Sequence, residues 1–303
     1  MAITRNAFAD QGRWYRGATH AHTRRSDGCM TPEELVAAYR AAGYDFLSIT
    51  DHRIYGVHEE LRKEDFLLIP GVELDIPGDH ATAWCHHVVG LAYPDAEGWA
   101  CGERIEYPDS TDVNQLIRLL ADRGHYTIYA HPLWSHVLPE AMDEIHGFDA
   151  VEVSNYGCSV AGLVGRADMH IQRLQWLGRR FHSVASDDSH QHFPDHGGAW
   201  VMVQARELSQ AAIMEAMREG RYYATEGPEI RSFRIEDDVV FVETSNCRVV
   251  ALYSDGFHCS GMPSLTATAR IHRYRLTGKE SYVQAVCEDA AGRRAWSQPL
   301  WLD

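Results

Sequence analysis

The chain has 303 residues and a formal charge of −15 at neutral pH, which argues against a general nucleic-acid binder, since such a protein needs a basic footprint for the phosphate backbone. Hydrophobic residues make up 45% and charged residues 23%, the make-up of a globular protein large enough to fold without disulfide staples. No stretch approaches the roughly 20 apolar residues of a membrane-spanning helix, residues 1–16 lack the continuous apolar core of a secretion signal, and the seven cysteines include no Cys-x-x-Cys pair, all of which points to a reduced, cytoplasmic protein.

Thr31-Pro32-Glu33-Glu34 reads as a helix start, with Thr31 as the cap, Pro32 in the first turn and Glu34 closing a capping box. That helix runs through Leu35, Val36 and Tyr39 and stops at Gly43. A buried strand follows at 46–50, another at 67–69 reaching Glu73, and an apolar stretch at 88–91. A helix over 112–123 ends at Gly124, followed by strands at 126–130 and 150–153, a helix at 167–177 and a strand at 181–185. Strands alternating with helices predict parallel pairing and an α/β fold, and so many repeats favour a barrel over an open sheet. From about residue 226 the texture changes to strands at 230–244, 249–254, 267–276 and 281–288, with turns such as Asp255-Gly256 and no helix. The expected organisation is an α/β barrel over 1–225 and a small antiparallel β domain of sandwich type over 226–303.

Of the 18 histidines, 16 lie in residues 1–224 and only His258 and His272 follow. Their placement carries the chemistry. Asp51-His52, Glu73, His131 and Asp187-Asp188-Ser189-His190 each follow a predicted strand, and in parallel α/β folds the carboxyl ends of strands converge on the active face. In His20-Ala21-His22, residues two apart on an extended chain point the same way and both imidazoles reach one ion. Ser26-Asp27-Gly28 adds a carboxylate beside a turn, although Asp27 alone reads as an ordinary turn residue. Imidazole mixed with carboxylate, without paired cysteines, suits two or three divalent Mn, Fe or Zn ions in a hydrolytic site, where a bridging hydroxide attacks and the cations clamp the attacking and leaving oxygens. His86 competes with His87, and Asp187 with Asp188; Asp51 reads as an orienting neighbour. His125 is expected at the surface, and His58, His80, His146, His170 and His182 as structural. Trp14, Trp84, Trp134, Trp176 and Trp200 read as core or pocket wall, and Asn155-Tyr156 stands at an active-face position.

The motifs Thr19-His20-Ala21-His22, Ser26-Asp27-Gly28, Thr50-Asp51-His52, Gly71-Val72-Glu73, His87-Val88-Val89-Gly90, Ala130-His131-Pro132 and Asp188-Ser189-His190 resemble, in order, those of the PHP (polymerase and histidinol phosphatase) family of trinuclear metallohydrolases. The resemblance covers residues 17 to about 200 and implies a distorted (β/α)7 barrel with Zn, Mn or Fe. It implies a first ion on His20, His22, Glu73 and Asp188, a second on Glu73, His87 and His131, and a third on Asp27, His52 and His190. The family's His-apolar-apolar-Gly and Asp-x-His spacings favour His87 over His86 and Asp188 over Asp187. Glu219-Gly220-Arg221-Tyr222-Tyr223, Gly227-Pro228-Glu229-Ile230, Ala295-Trp296-Ser297 and Pro299-Leu300-Trp301 resemble a branch that carries a C-terminal β domain and includes carbamate hydrolases.

The expectation is a cytoplasmic phosphoesterase acting on a small phosphomonoester or a nucleotide-like phosphodiester, with long nucleic acid disfavoured by the acidic charge and no membrane partner. Carbamate or amide hydrolysis at the same site is the alternative, and a non-catalytic, metal-stabilised binding module is the third reading. Arg24, Arg25 and Arg53 directly follow ligand motifs and suit phosphate oxygens; His136, His192 and His196 are further candidates for substrate contact.

Overall fold

The structure, a computed structural model, describes residues 2–8, 12–255, 260–263 and 269–303. Gly256, His258 and residues 267–268 of the last expected strands lie outside the described residues. In chain order the elements are β1 (Arg5–Asn6), β2 (Arg13–Ala18), α1 (Pro32–Ala41), β3 (Phe46–Ile49), β4 (Leu67–Pro77), β5 (Cys85–Ala92), α2 (Val113–Ala121), β6 (His125–Tyr129), β7 (Ala150–Asn155), α3 (Tyr156–Gly162), α4 (Asp168–Trp176), β8 (His182–Ser186), β9 (Trp200–Ala205), α5 (Gln210–Arg218) and β10 (Tyr222–Thr225). Thereafter come β11 (Ile230–Glu236), β12 (Val239–Cys247), β13 (Val249–Tyr253), β14 (Ser260–Pro263), β15 (Ala269–Arg275), β16 (Tyr282–Glu288), β17 (Arg294–Ser297) and β18 (Leu300–Trp301).

Helix α1 starts as its sequence dictates. The Thr31 hydroxyl accepts from the Glu34 amide at 3.3 Å, and the Glu34 carboxylate accepts from the Thr31 amide at 2.8 Å, so two otherwise orphaned donors are satisfied. Its apolar stripe of Leu35, Val36 and Tyr39 buries against Leu47 and Ile49 of β3.

One sheet runs β14-β13-β16-β17-β10-β9-β2-β3-β4-β5-β6-β7-β8. The runs β2-β3-β4 and β6-β7-β8 are parallel, but β5 is antiparallel to both β4 and β6. This corrects the expectation of uniformly parallel pairing. Only residues 78–84 join β4 to β5, and a parallel crossover needs a dozen residues or more. Nor does a helix follow every strand: the protein is mixed α/β, with a large sheet and few helices. Just past β2 and β8 the two chain segments meet, where Ala21 and Ser189 form a parallel bridge. There the His22 amide donates to Ser189 O and the Asp188 amide to His20 O, both at 3.0 Å.

The ladder does not break at residue 225, because β10 pairs with β17 through Thr225 and Ala295. A second sheet, β1-β11-β12-β15, takes in a strand from the beginning of the chain. Phe233, Ile235 and Val242 of this sheet share one buried cluster with Leu252, Val283 and Ala285 of the first. Among the described residues no helix is long and apolar enough to cross a membrane.

Two sequence expectations fail on burial. Trp84 and Trp176 are 63% and 57% exposed rather than core or pocket wall. His125, expected at the surface, is buried at the start of β6, where its Nδ1 lies 3.2 Å from Leu120 O and its Nε2 lies 2.9 Å from the Tyr55 hydroxyl. Burial pushes its pKa down to about 4 because the charged form is the harder one to desolvate. The unfolded chain, titrating near 6.5, therefore binds a proton before the folded one does, and stability falls as pH drops from 6.5 towards 4. At pH 5 the loss from this residue is about 2 kcal/mol. Denaturant unfolding of the protein and of His125→Asn at pH 7 and pH 5 should show the variant losing less by about that amount; equal losses would refute it.

Candidate metal centre

The extended chain continues past β2, so His20 and His22 face one side while Ala21 packs into the core beside Leu47 and Ile49. His52 follows β3, Glu73 lies on β4, His131 follows β6, and Asp188 and His190 follow β8. His87 arrives differently: because β5 runs against its neighbours, it reaches the same rim from the beginning of its strand. The backbone of His131 (φ 27°) and Asp188 (φ 49°) is in the left-handed region, which costs non-glycine residues energy and persists where the surroundings over-determine it. Gly28 answers a close approach, since a Cβ there would stand 2.6 Å from His22 O. Only glycine lets the Ser26-Asp27 turn lie against the first histidine pair.

Five imidazoles converge on Glu73. Its Oε1 lies 2.9 Å from His87 Nδ1 and 3.2 Å from His131 Nε2. Its Oε2 lies 3.2 Å from His20 Nε2, 3.1 Å from His22 Nε2 and 3.2 Å from His52 Nδ1. Asp188 Oδ1 stands 3.2 Å from His20 Nε2 and 3.1 Å from His22 Nε2, and those two nitrogens are themselves 3.1 Å apart. On the outer side Asp27 Oδ2 lies 3.4 Å from His190 Nε2 and 3.6 Å from His52 Nε2. Three groups thus bring one donor atom per residue within 4.8 Å of each other: His20, His22, Glu73 and Asp188; His22, Asp27, His52 and His190; and His52, Glu73 and His87.

Hydrogen bonding does not account for this packing. Glu73 Oε2, Asp188 Oδ1 and His52 Nδ1 are buried without a hydrogen-bond partner, a costly state for carboxylate oxygens. Divalent cations that take mixed imidazole and carboxylate ligands fit these donors.

Behind the donors stands a set of partners that the motifs do not reveal. Glu152 of β7 is buried; its Oε1 lies 2.8 Å from His20 Nδ1, while its Oε2 accepts from the His131 amide at 2.8 Å and from Asn155 Nδ2 at 2.9 Å. Asn155 also donates to Asp188 Oδ2 at 3.0 Å, and the Ser135 hydroxyl lies 3.0 Å from His131 Nδ1. Such contacts turn each imidazole's other nitrogen towards the cavity. The signal for Glu152 was faint but present, as it lies in the middle of an apolar strand, where a carboxylate needs a buried partner.

The fields of these groups are strong. Burial alone would lower the pKa of His20, yet Asp188, Glu73 and Glu152 outweigh it and raise it well above the usual value. His22 is lifted to about 9 and His87 to about 10 on the same balance, burial opposed by Asp188 and Glu73 for the first and chiefly by Glu73 for the second. Burial acts to raise Glu73 and Asp188, but the surrounding histidines hold both well below the ordinary carboxylate range. A centre that draws protons this strongly onto imidazoles is one whose negative charge calls for cations, and ion binding there releases protons.

The structure separates the paired alternatives. His86 turns away to the Tyr129 hydroxyl at 2.7 Å, whereas His87 faces Glu73. Asp187 accepts from the amides of Gly197, Gly198 and Ala199 and from the Tyr44 hydroxyl, whereas Asp188 faces the histidines. Asp51 holds the Thr23 amide and hydroxyl at 2.7 Å and the Ser26 hydroxyl at 2.8 Å, shaping the loop that carries Asp27. His192 lines the central cavity of about 200 Å³, as do Trp134 and Phe193. His136 and His196 are not brought to it: the first lies near Trp84 and the second near Tyr39. Arg24 turns to Cys29 O and Glu34, while Arg25 and Arg53 line a groove beside Asp27 and His52.

No family model matches the chain. It is similar to a two-domain protein from Bacteroides vulgatus ATCC 8482 that contains a predicted PHP-like metal-dependent phosphoesterase, with a TM-score of 0.50, 17% identity and 94% and 93% of the two chains covered. The likeness, at 17% identity, is one of fold. A metal-dependent phosphoesterase of Bifidobacterium adolescentis, itself described as putative, also aligns, at a TM-score of 0.46 and 17% identity over 61% of this chain and 91% of that one. In sequence the chain is 34% identical over 113 residues, 34% of its own length, to the 5'-3' exoribonuclease Rnm of Escherichia coli K12. It spans only 36% of the length of that curated relative.

Proposed function

We propose that the protein is a metal-dependent phosphoesterase acting on a small phosphomonoester or a nucleotide-like phosphodiester. The observation that carries this is the pair of buried carboxylate oxygens, Glu73 Oε2 and Asp188 Oδ1, that face His20 and His22 without a hydrogen bond. In this reading His20, His22, Glu73 and Asp188 hold one ion, Glu73, His87 and His131 a second, and Asp27, His52 and His190 a third. Divalent ions held there neutralise charge on ester oxygens and make water a competent nucleophile near neutral pH. The chain's own part is to fix the donors, through Glu152, Asn155 and Ser135, and to shape the cavity. Trp134, about two-fifths exposed and edge-on to the His131 ring at 5.0 Å, and Phe193 give that cavity an apolar wall for a flat leaving group. A division near residue 225 goes with the proposal: a distorted barrel built on β2 to β8 carries the chemistry, and the all-strand segment from 226 buttresses it.

Metal-replete and chelated protein should be assayed on p-nitrophenyl phosphate, a nucleoside monophosphate, a dinucleotide and an aryl carbamate. Turnover of at least one phosphate ester, lost on chelation and restored by Zn, Mn or Fe, is expected. Carbamate hydrolysis with no ester hydrolysis would overturn the proposal in favour of attack at carbon, and metal binding with no turnover at all would favour a binding module.

A further inference from the structure

We propose that Arg25 and Arg104 form a second anion subsite beside the metal centre, so that the preferred substrate is a phosphate ester carrying a further phosphate or carboxylate; this rests on the phosphoesterase reading above. A groove of about 460 Å³ borders Asp27, His52 and His87 and is lined by Arg25, Arg53 and Arg104. Three arginines lining one groove, beside Asp27 and Asp75, stand out in a chain of net charge −15.

What holds each of them differs. Arg53 is fully engaged: its Nε and Nη2 each lie 2.9 Å from a carboxylate oxygen of Asp75, its Nη2 donates to Asp75 O at 2.7 Å, and it lies 4.7 Å from the centre of the Tyr107 ring. Arg25 has no carboxylate partner among the described residues; its guanidinium reaches only Cys101 Sγ, at 3.5 Å. Arg104 gives Nε to Glu106 at 3.0 Å, and its terminal nitrogens make no hydrogen bond among the described residues. Two cations with unused donors therefore face a groove that ends on Asp27, His52 and His87.

Their backbones are held in place. Arg104 forms an antiparallel bridge with Ile54, and the next amide, Ile105, donates to Arg53 O at 2.7 Å. The Arg25 amide donates to Thr23 Oγ1 at 3.2 Å, and Thr23 is tied in turn to Asp51. Guanidiniums presented from fixed backbone on two segments match the oxygens of a phosphate or carboxylate in a fork. With the scissile phosphate at the histidines and carboxylates, a second anion on the same small molecule falls in this groove.

The test is calorimetric titration of metal-replete protein with propylphosphonate, propane-1,3-bisphosphonate and 3-phosphonopropanoate. The bisphosphonate should bind at least about tenfold more tightly than propylphosphonate, the effect of one or two charge-assisted hydrogen bonds. The double variant Arg25→Ala, Arg104→Ala should lose that increment and keep its affinity for propylphosphonate. A matching gain with 3-phosphonopropanoate would mean that the subsite accepts carboxylate as well as phosphate; a gain with the bisphosphonate alone assigns it to phosphate. Equal binding of all three by the unaltered protein, or a gain that survives the double variant, overturns the subsite. Hydrolysis of p-nitrophenyl phosphate by the unaltered protein is scored separately, since its failure removes the phosphoesterase reading and leaves the binding result to judge the subsite.

Discussion

Glu73→Gln is expected to reduce metal-dependent turnover by well over the roughly 100-fold that marks the loss of an outer-shell partner, and to lower bound metal by at least one ion per chain. The residue is buried on β4, and its two oxygens face five imidazoles, those of His20, His22, His52, His87 and His131, at 2.9–3.2 Å. Glutamine keeps the shape but replaces one anionic oxygen by an amide nitrogen, a donor aimed at groups that need an acceptor. Two of the three proposed ions share this carboxylate, so one substitution removes a ligand from both. Elemental analysis of the purified variant decides the matter. Unchanged metal stoichiometry would show that Glu73 does not bridge.

Glu152→Gln should act at one remove, weakening metal affinity by about 10- to 100-fold while the fold persists. Its carboxylate contacts His20 Nδ1, the His131 amide, Asn155 and the Ser186 hydroxyl at once, so it sets the ring orientation of one candidate ligand and the backbone of another. Neutralising it removes one of the charges that make His20 basic, and a less basic imidazole is a weaker donor. Competition with a chelator of known affinity reads this directly. An affinity within about twofold of the unaltered protein would leave Glu152 a packing residue only. Loss of affinity with unchanged folding stability is the result that a purely structural role could not produce.

What was legible in the sequence was the donors and their order. His20 and His22 share a side because an extended chain has a period of two, and the α1 capping box was readable residue by residue. The partners of those donors were less legible because they are long-range. Glu152 reaches His20 across 132 positions, and nothing near Arg104 in sequence signals that a bridge to Ile54 brings it to the groove that Arg25 also lines. The reversal of β5 was hidden for another reason. Apolar strands of either direction look alike, and only the short connection 78–84 excluded a crossover. His125 was misjudged because the Tyr55 hydroxyl that meets its buried ring lies 70 positions away.

The most direct test of the central claim is anomalous X-ray scattering from crystals of metal-replete protein. Two or three peaks are expected, one of them bounded by His20, His22, Glu73 and Asp188 with ligand distances of about 2.0–2.3 Å. Metal-replete crystals with no peak among these residues, or with peaks only elsewhere on the chain, would contradict the account.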